Sequence, residues 1–349
     1  MIDNDLNPAY AITTVDASKE LKLSGMSTPS GKRFFDNSML DVYRVCPRKF
    51  YYRHIRNWET SGIRVPLIFG TGFHAAMDVI WPGVHGNNDF QLLEAGMAAF
   101  LKAWKDGGME NQMDFDTFPR TPARMLDMLT EYIKRYRSHM ESIELIAVET
   151  AFVVPLSLEN ADIFYIGKWD KVYKDRLGYN ILDHKTSSSF ANTWLNSFSP
   201  NGQMDGYLHA GHMTYGDEMH GVMIDGCLVS KTKIDCMRLP LQRQIQQLNS
   251  WLWEVTDLID TIELNEERLL EQRNVSHLQP DYLAAFPKCT TSCTQYYGIC
   301  PYHTLCQFWS NPDEHKEVPD GFALSTWTPF EITEKLDGNL QITMHAEAS

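Results

Sequence analysis

Asp170 closes the run Gly167-Lys168-Trp169-Asp170, and Asp183 and Lys185 lie in Ile181-Leu182-Asp183-His184-Lys185-Thr186. Both runs read as strands, with Gly178 at the turn between them. Side chains alternate along a strand, so Asp183 and Lys185 share a face. If the two strands pair as a hairpin, Asp170 comes close to Asp183. Adjacent carboxylates repel, and neither ionises cheaply without a cation between them. Hard oxygen ligands of this kind suit Mg²⁺ or Mn²⁺. A lysine on the same face neutralises charge developing on a phosphate or orients an attacking water. Metal-assisted phosphodiester hydrolysis needs this combination. The apolar pair Ile181-Leu182 argues against a merely solvated charge pair. The polar run Thr186-Ser187-Ser188-Ser189 that follows is suited to phosphate contact.

The cysteines offer a second chemistry. Four of the seven, Cys289, Cys293, Cys300 and Cys306, fall within one short segment, and Cys46 lies far upstream. Cys227 and Cys236 sit in apolar, strand-like stretches and read as core thiols. An odd count argues against a disulfide scaffold. Met1-Ile2-Asp3-Asn4-Asp5 has no basic and no apolar region of a secretory signal, so a reducing, cytoplasmic location is expected. Such local density reads as metal or cluster ligation. Four thiolates satisfy either zinc or an iron–sulfur cluster.

These groups need elements to hold them. Helices are expected from Ser38, read as an N-cap, to about Arg56, and over 67–81, 89–105, 122–140 and 202–215. A long Gln- and Glu-rich helix is expected over 241–273. Strands are expected over 143–156, 163–174 and 179–185, with two more flanking Ser230-Lys231-Thr232-Lys233. This order fits an α/β core around one mixed sheet, with a helical insertion near its start. No apolar run is long enough for a membrane span. Of 349 residues, 31 are Lys or Arg and 45 are Asp or Glu, a net charge of −14. That balance argues against a general nucleic-acid binder and confines DNA contact to a local cleft. Residues 41–64 form a basic exception, with six basic residues against two acidic ones. Tyr43, Phe50, Tyr51, Tyr52 and Trp58 interleave with them. This suits a single strand whose bases stack and whose phosphates pair; equally, the aromatic residues are core and the basic ones solvated.

Asp170 followed by Asp183-His184-Lys185 resembles the PD-(D/E)xK nuclease superfamily. More narrowly, the chain resembles its RecB-like branch, with the CRISPR-associated RecB-like exonucleases and many phage exonucleases. His74, in Gly70-Thr71-Gly72-Phe73-His74, resembles that branch's upstream metal-ligand histidine. Gln203 and Tyr207 resemble its Gln-x-x-x-Tyr motif. The resemblance implies a restriction-endonuclease-like α/β fold and a DNA exonuclease acting on single strands or duplex ends. It implies that His74, Asp170, Asp183 and the His184 carbonyl hold Mg²⁺ or Mn²⁺, with Lys185 assisting. Gln203 and Tyr207 would shape the site and touch DNA. From the basic, aromatic segment over 41–64, Arg48, Lys49, Tyr52 and Arg53 are expected as further DNA contacts. Glu149 either supports the ligands or is a structural acid. The family's 4Fe–4S cluster maps onto Cys46, Cys293, Cys300 and Cys306, with zinc as the alternative metal and Cys289 as a spare thiol.

The resulting layout is a flexible arm over 1–35, a nuclease domain over 36–309 with an insertion at about 82–140, and an acidic tail over 310–349. The alternative function is a non-catalytic or complex-dependent DNA-binding subunit of a recombination or CRISPR-adaptation machine. No Gly-x4-Gly-Lys-Ser/Thr motif is present, so a helicase partner would be another chain.

Overall fold

A computed structural model describes residues 21–22, 31–156, 162–274, 281–295, 298–325, 330–334 and 340–344. Much of the expected arm and part of the expected tail lie outside these residues. The principal elements are helices α1 (Asn37–Val45), α2 (Val65–Gly83), α3 (Asp89–Asp106) and α4 (Pro122–Ser142). Strands β1 (Glu144–Pro155), β2 (Ile163–Asp175) and β3 (Gly178–Ser187) come next. Helix α5 (Gly202–Tyr215), strands β4 (Met219–Val229) and β5 (Ile234–Leu241), and helix α6 (Ile245–Asn274) complete the set. Their order matches the sequence expectation. The chain divides into two compact units. One contains Ile63–Phe152 and Gly167–Leu248; the other contains the described residues of 12–62, 153–166 and 249–349.

In the first unit, β2 and β3 pair antiparallel from Asp175/Gly178 to Lys171/Leu182. Gly178 permits the tight turn because its φ of +129° is closed to most side chains. Strand β3 runs parallel to β4, which runs antiparallel to β5, and β1 pairs with β2. Parallel neighbours need a crossover, which α5 provides. The sheet is therefore mixed, as expected, and helices cover both faces. On one face Phe73, Met77 and Trp81 of α2, Phe100 of α3 and Tyr132 of α4 share a core with Leu182, Cys227, Val229 and Cys236. On the other, α5 packs so closely that a Cβ on Gly211 would stand 3.1 Å from Ile181 Cδ1. Each large apolar side chain removed from water contributes roughly 1.5–3 kcal/mol. Asn88 and Gln91 form a reciprocal capping box that starts α3.

The second unit corrects two expectations. Asp36, not Ser38, caps α1 by accepting the Met39 amide at 2.7 Å. The helix does not run on to Arg56. It breaks at Cys46, whose backbone is extended, restarts at Pro47 and widens into a π-helical turn over Tyr51–Ile55. Proline suits such a restart because its missing N–H would be unsatisfied there anyway. Phe50 stacks on Phe286, and Tyr52 lies between Trp58 and Tyr302. Arg33–Phe35 pairs parallel to the first residues of β2. Leu21–Lys22 pairs with Phe330–Glu334, which pairs with Leu340–Met344.

Candidate active site and metal centre

The catalytic-type residues meet in the first unit, where β2 and β3 stop pairing. Beyond Lys171/Leu182 the Asp170 carboxylate takes over from the backbone ladder. Its Oδ2 accepts the His184 amide at 2.7 Å. The same oxygen lies 3.2 Å from His74 Nδ1 on α2. Glu149 of β1 joins them, so that one ligand atom from each of His74, Glu149 and Asp170 lies within 4.8 Å of the others. Glu149 has a φ of +50°. A non-glycine residue in that region stores roughly 1–3 kcal/mol of strain, which tends to persist where function holds it. Here it turns a strand residue toward the imidazole.

Asp183 is 1% exposed and pairs with Lys185 Nζ at 2.6 Å. It lies outside the three-residue group. The His184 ring is enclosed by Phe73, His74, Trp81 and Tyr132, with centroids 5.8–6.1 Å away. Neither of its nitrogens has a hydrogen-bond partner among the described residues. Burial holds its pKa far below the ordinary value, so the ring is neutral.

Lys168 was not anticipated. Two residues before Asp170 on the same strand, its ammonium pairs closely with Glu149. Its carbonyl accepts the Tyr207 hydroxyl at 2.8 Å, and Gln203 Nε2 donates to that hydroxyl at 3.1 Å. The i, i+4 spacing of Gln203 and Tyr207 placed them on one helix face, and that face meets β2. Behind the site, Lys171 pairs with Asp78 of α2.

Each carboxylate of the site has one basic partner: Glu149 has Lys168, Asp78 has Lys171, Asp183 has Lys185 and Asp170 has His74. Burial raises the Glu149 carboxyl, and Asp78 and Asp170 raise it further against Lys168. Burial also raises Asp183, with Asp170 adding to it and Lys185 opposing. For Asp170 burial works the same way, but His74 and Lys185 outweigh it and hold the carboxyl below its usual range. Burial opposes charge on His74, yet Asp170 keeps its pKa raised. A divalent cation would relieve these like charges. The two carboxylates fit Mg²⁺ or Mn²⁺ in ligand type, and the imidazole nitrogen favours Mn²⁺ of the two.

The DNA contacts expected of the second unit divide. Arg48 and Tyr52 are interior, which corrects their expected surface role. Arg48 is 2% exposed, and its guanidinium donates to the Phe286 and Leu283 carbonyls. Arg53 donates to the Ser325 carbonyl and pairs with Glu59. Lys49 is only partly covered. The aromatic interleaving thus marks core for Tyr52.

Cysteines of that unit meet in two pairs through backbone amides. Cys46 Sγ accepts the Cys289 amide at 3.3 Å, and the Cys300 amide donates to the Cys293 carbonyl at 2.8 Å. Burial raises the thiols of Cys300 and Cys306. No three of these sulfurs lie within 4.8 Å of one another among the described residues. Cys227 and Cys236 are buried in the first unit, as expected of core thiols, with their sulfurs 3.0 Å apart.

Comparison with known proteins adds the family. No curated protein matches the chain. Among solved structures, one described as "Crystal structure of SSO0001" is 13% identical. It covers 53% of this chain and 73% of its own, at a TM-score of 0.24; a likeness of that size carries no argument. A family model described as the PD-(D/E)XK nuclease superfamily matches residues 37–307. That span covers most of the chain and contains every residue of the site above, and the chain belongs to the PD-(D/E)XK nuclease superfamily.

Proposed function

We propose that the chain is a divalent-metal-dependent DNA exonuclease acting on single strands or duplex ends. The observation that carries this reading is the convergence of His74, Glu149 and Asp170 beside the Asp183–Lys185 pair. His74, Glu149 and Asp170 would hold Mg²⁺ or Mn²⁺, with Asp183 and the His184 carbonyl completing the ligand set. The metal, when bound, lowers the pKa of water and polarises the phosphoryl oxygen. Lys185 orients the attacking water and offsets charge on the phosphate. The Asp170 bond to the His184 amide fixes the strand that carries Asp183 and Lys185. Gln203 and Tyr207 hold β2 through the Lys168 carbonyl and face the substrate strand. Lys49 and Arg53 are the remaining candidates for DNA contact in the second unit.

Cys46, Cys293, Cys300 and Cys306 would hold a 4Fe–4S cluster. Zinc is the alternative metal, since four thiolates satisfy either. The cytoplasm, and a helicase or recombination partner on another chain, complete the reading. No described helix is long and apolar enough to cross a membrane.

Exonuclease action is tested with 5′- and 3′-labelled linear single strands and a circular single strand, each with Mn²⁺. Progressive shortening from one end with the circle spared is expected. Equal cleavage of the circle overturns the exonuclease assignment.

A further inference from the structure

Strand β3 leaves the site through Thr186-Ser187-Ser188-Ser189, the run that the sequence suits to phosphate contact. Two of its hydroxyls are occupied by the loop itself. Ser187 Oγ donates to the Ser189 carbonyl at 2.7 Å and accepts the Ser189 amide at 3.1 Å. Ser189 Oγ accepts the Ala191 amide at 3.1 Å. These bonds fold a compact turn that carries Phe190, and the short helix Asn192–Asn196 that follows carries Trp194.

The two rings lie 4.6 Å apart, tilted by 38°. Phe198, which is buried, meets Trp194 edge-on at 4.9 Å. Beneath the pair is Gly226 of β4. A Cβ there would stand 2.5 Å from Trp194 Cη2 and 3.3 Å from Phe190 Cε1. The rings therefore rest on bare backbone. Gly226 is the register partner of Lys185 in the parallel β3–β4 pair. Partners in adjacent strands point to the same face, so the aromatic pair and the Lys185 ammonium share one face of the sheet, one strand apart. Phe190 and Trp194 are only partly covered.

We propose that Phe190 and Trp194 form a stacking platform for a nucleobase of the strand whose phosphate is held at Lys185. The proposal rests on the nuclease reading of that site and adds a base subsite to it. Every base has a π-face, so such a platform recognises unpaired bases without reading sequence. A base in a duplex stack cannot reach it, which gives the enzyme a reason to require a single strand or a frayed end.

Binding of a fluorescein-labelled oligo(dT) and of an abasic oligomer of the same length, measured by anisotropy in EDTA, tests this without cleavage. The wild type should bind oligo(dT) about tenfold more tightly than the abasic strand. Trp194→Ala should remove that preference and leave abasic affinity unchanged, while Trp194→Phe should keep most of it. Phe190→Leu keeps bulk without a ring face and gives the same loss should Trp194→Ala fail to fold. A wild type with no base preference overturns the proposal. So does a variant that keeps the preference, or one that loses both affinities equally. Cleavage with Mn²⁺, run in parallel, reads the nuclease assignment separately: base-dependent binding without cleavage spares the platform and removes the nuclease.

Discussion

Asp170 Oδ2 lies 3.2 Å from His74 Nδ1, on the same oxygen that accepts the His184 amide. One carboxylate thus links a helix residue to the strand that carries Asp183 and Lys185. Loss of Asp170 should disturb both the ligand set and the strand position.

Divalent metal should stabilise the wild type. A ligand that binds only the folded state at 100 times its Kd contributes about 2.7 kcal/mol. Mn²⁺ should therefore raise the melting temperature of the wild type and leave that of Asp170→Asn unmoved. Because burial raises the Glu149 carboxyl, protons compete for the site and the shift should shrink as pH falls. An equal shift in both proteins would place metal binding elsewhere.

Lys185 and Asp183 should show coupled stability and uncoupled activity. Lys185→Met leaves Asp183 buried without its cation, at a cost of about 2 kcal/mol. Adding Asp183→Asn should recover most of that in urea melts. Hydrolysis should fall at least ~100-fold in Lys185→Met and not return in the double variant. Additive losses of stability would show that the pair does not act as one unit.

The cysteine reading is tested by anaerobic purification. The wild type should be coloured and contain iron and acid-labile sulfide in equal amounts. Cys306→Ala and Cys293→Ala should be colourless, while Cys227→Ala, a core thiol of the first unit, should keep the colour. A colourless wild type with stoichiometric zinc would remove the cluster.

Asp36 should give the fold a pH dependence. Burial pushes its carboxyl up to about 6 from 3.8, so the folded state binds this proton more tightly than the unfolded chain does. Its contribution is full below about pH 4 and is lost as pH rises through 6, a change of roughly 3 kcal/mol. Asparagine caps as well as aspartate. Asp36→Asn should thus be more stable than the wild type at pH 8 and lack the slope. The same slope in both would assign it to other groups.

The sheet was legible because its strands alternate or run apolar and its turns carry glycine. The Asp170, Asp183, Lys185 and His74 positions were legible because their residue types and order are unusual together. Glu149 was ambiguous because its place beside His74 and Asp170 comes with a left-handed backbone that no pattern announces. Lys168 was hidden because a lysine near an acid is ordinary surface composition. Arg48 and Tyr52 misled because a basic aromatic helix reads alike whether its rings face solvent or a core. The break at Cys46 was masked by continuous helical periodicity, although Pro47 marked the place.

The central claim is that this site hydrolyses phosphodiester bonds with a divalent metal. The most direct measurement is release of labelled nucleotide from single-stranded DNA with Mn²⁺, comparing the wild type with Asp183→Ala prepared identically. The wild type should digest the strand and stop on addition of EDTA, and Asp183→Ala, with an unchanged circular dichroism spectrum, should be inactive. Full digestion by Asp183→Ala, or activity that survives EDTA, would contradict the account.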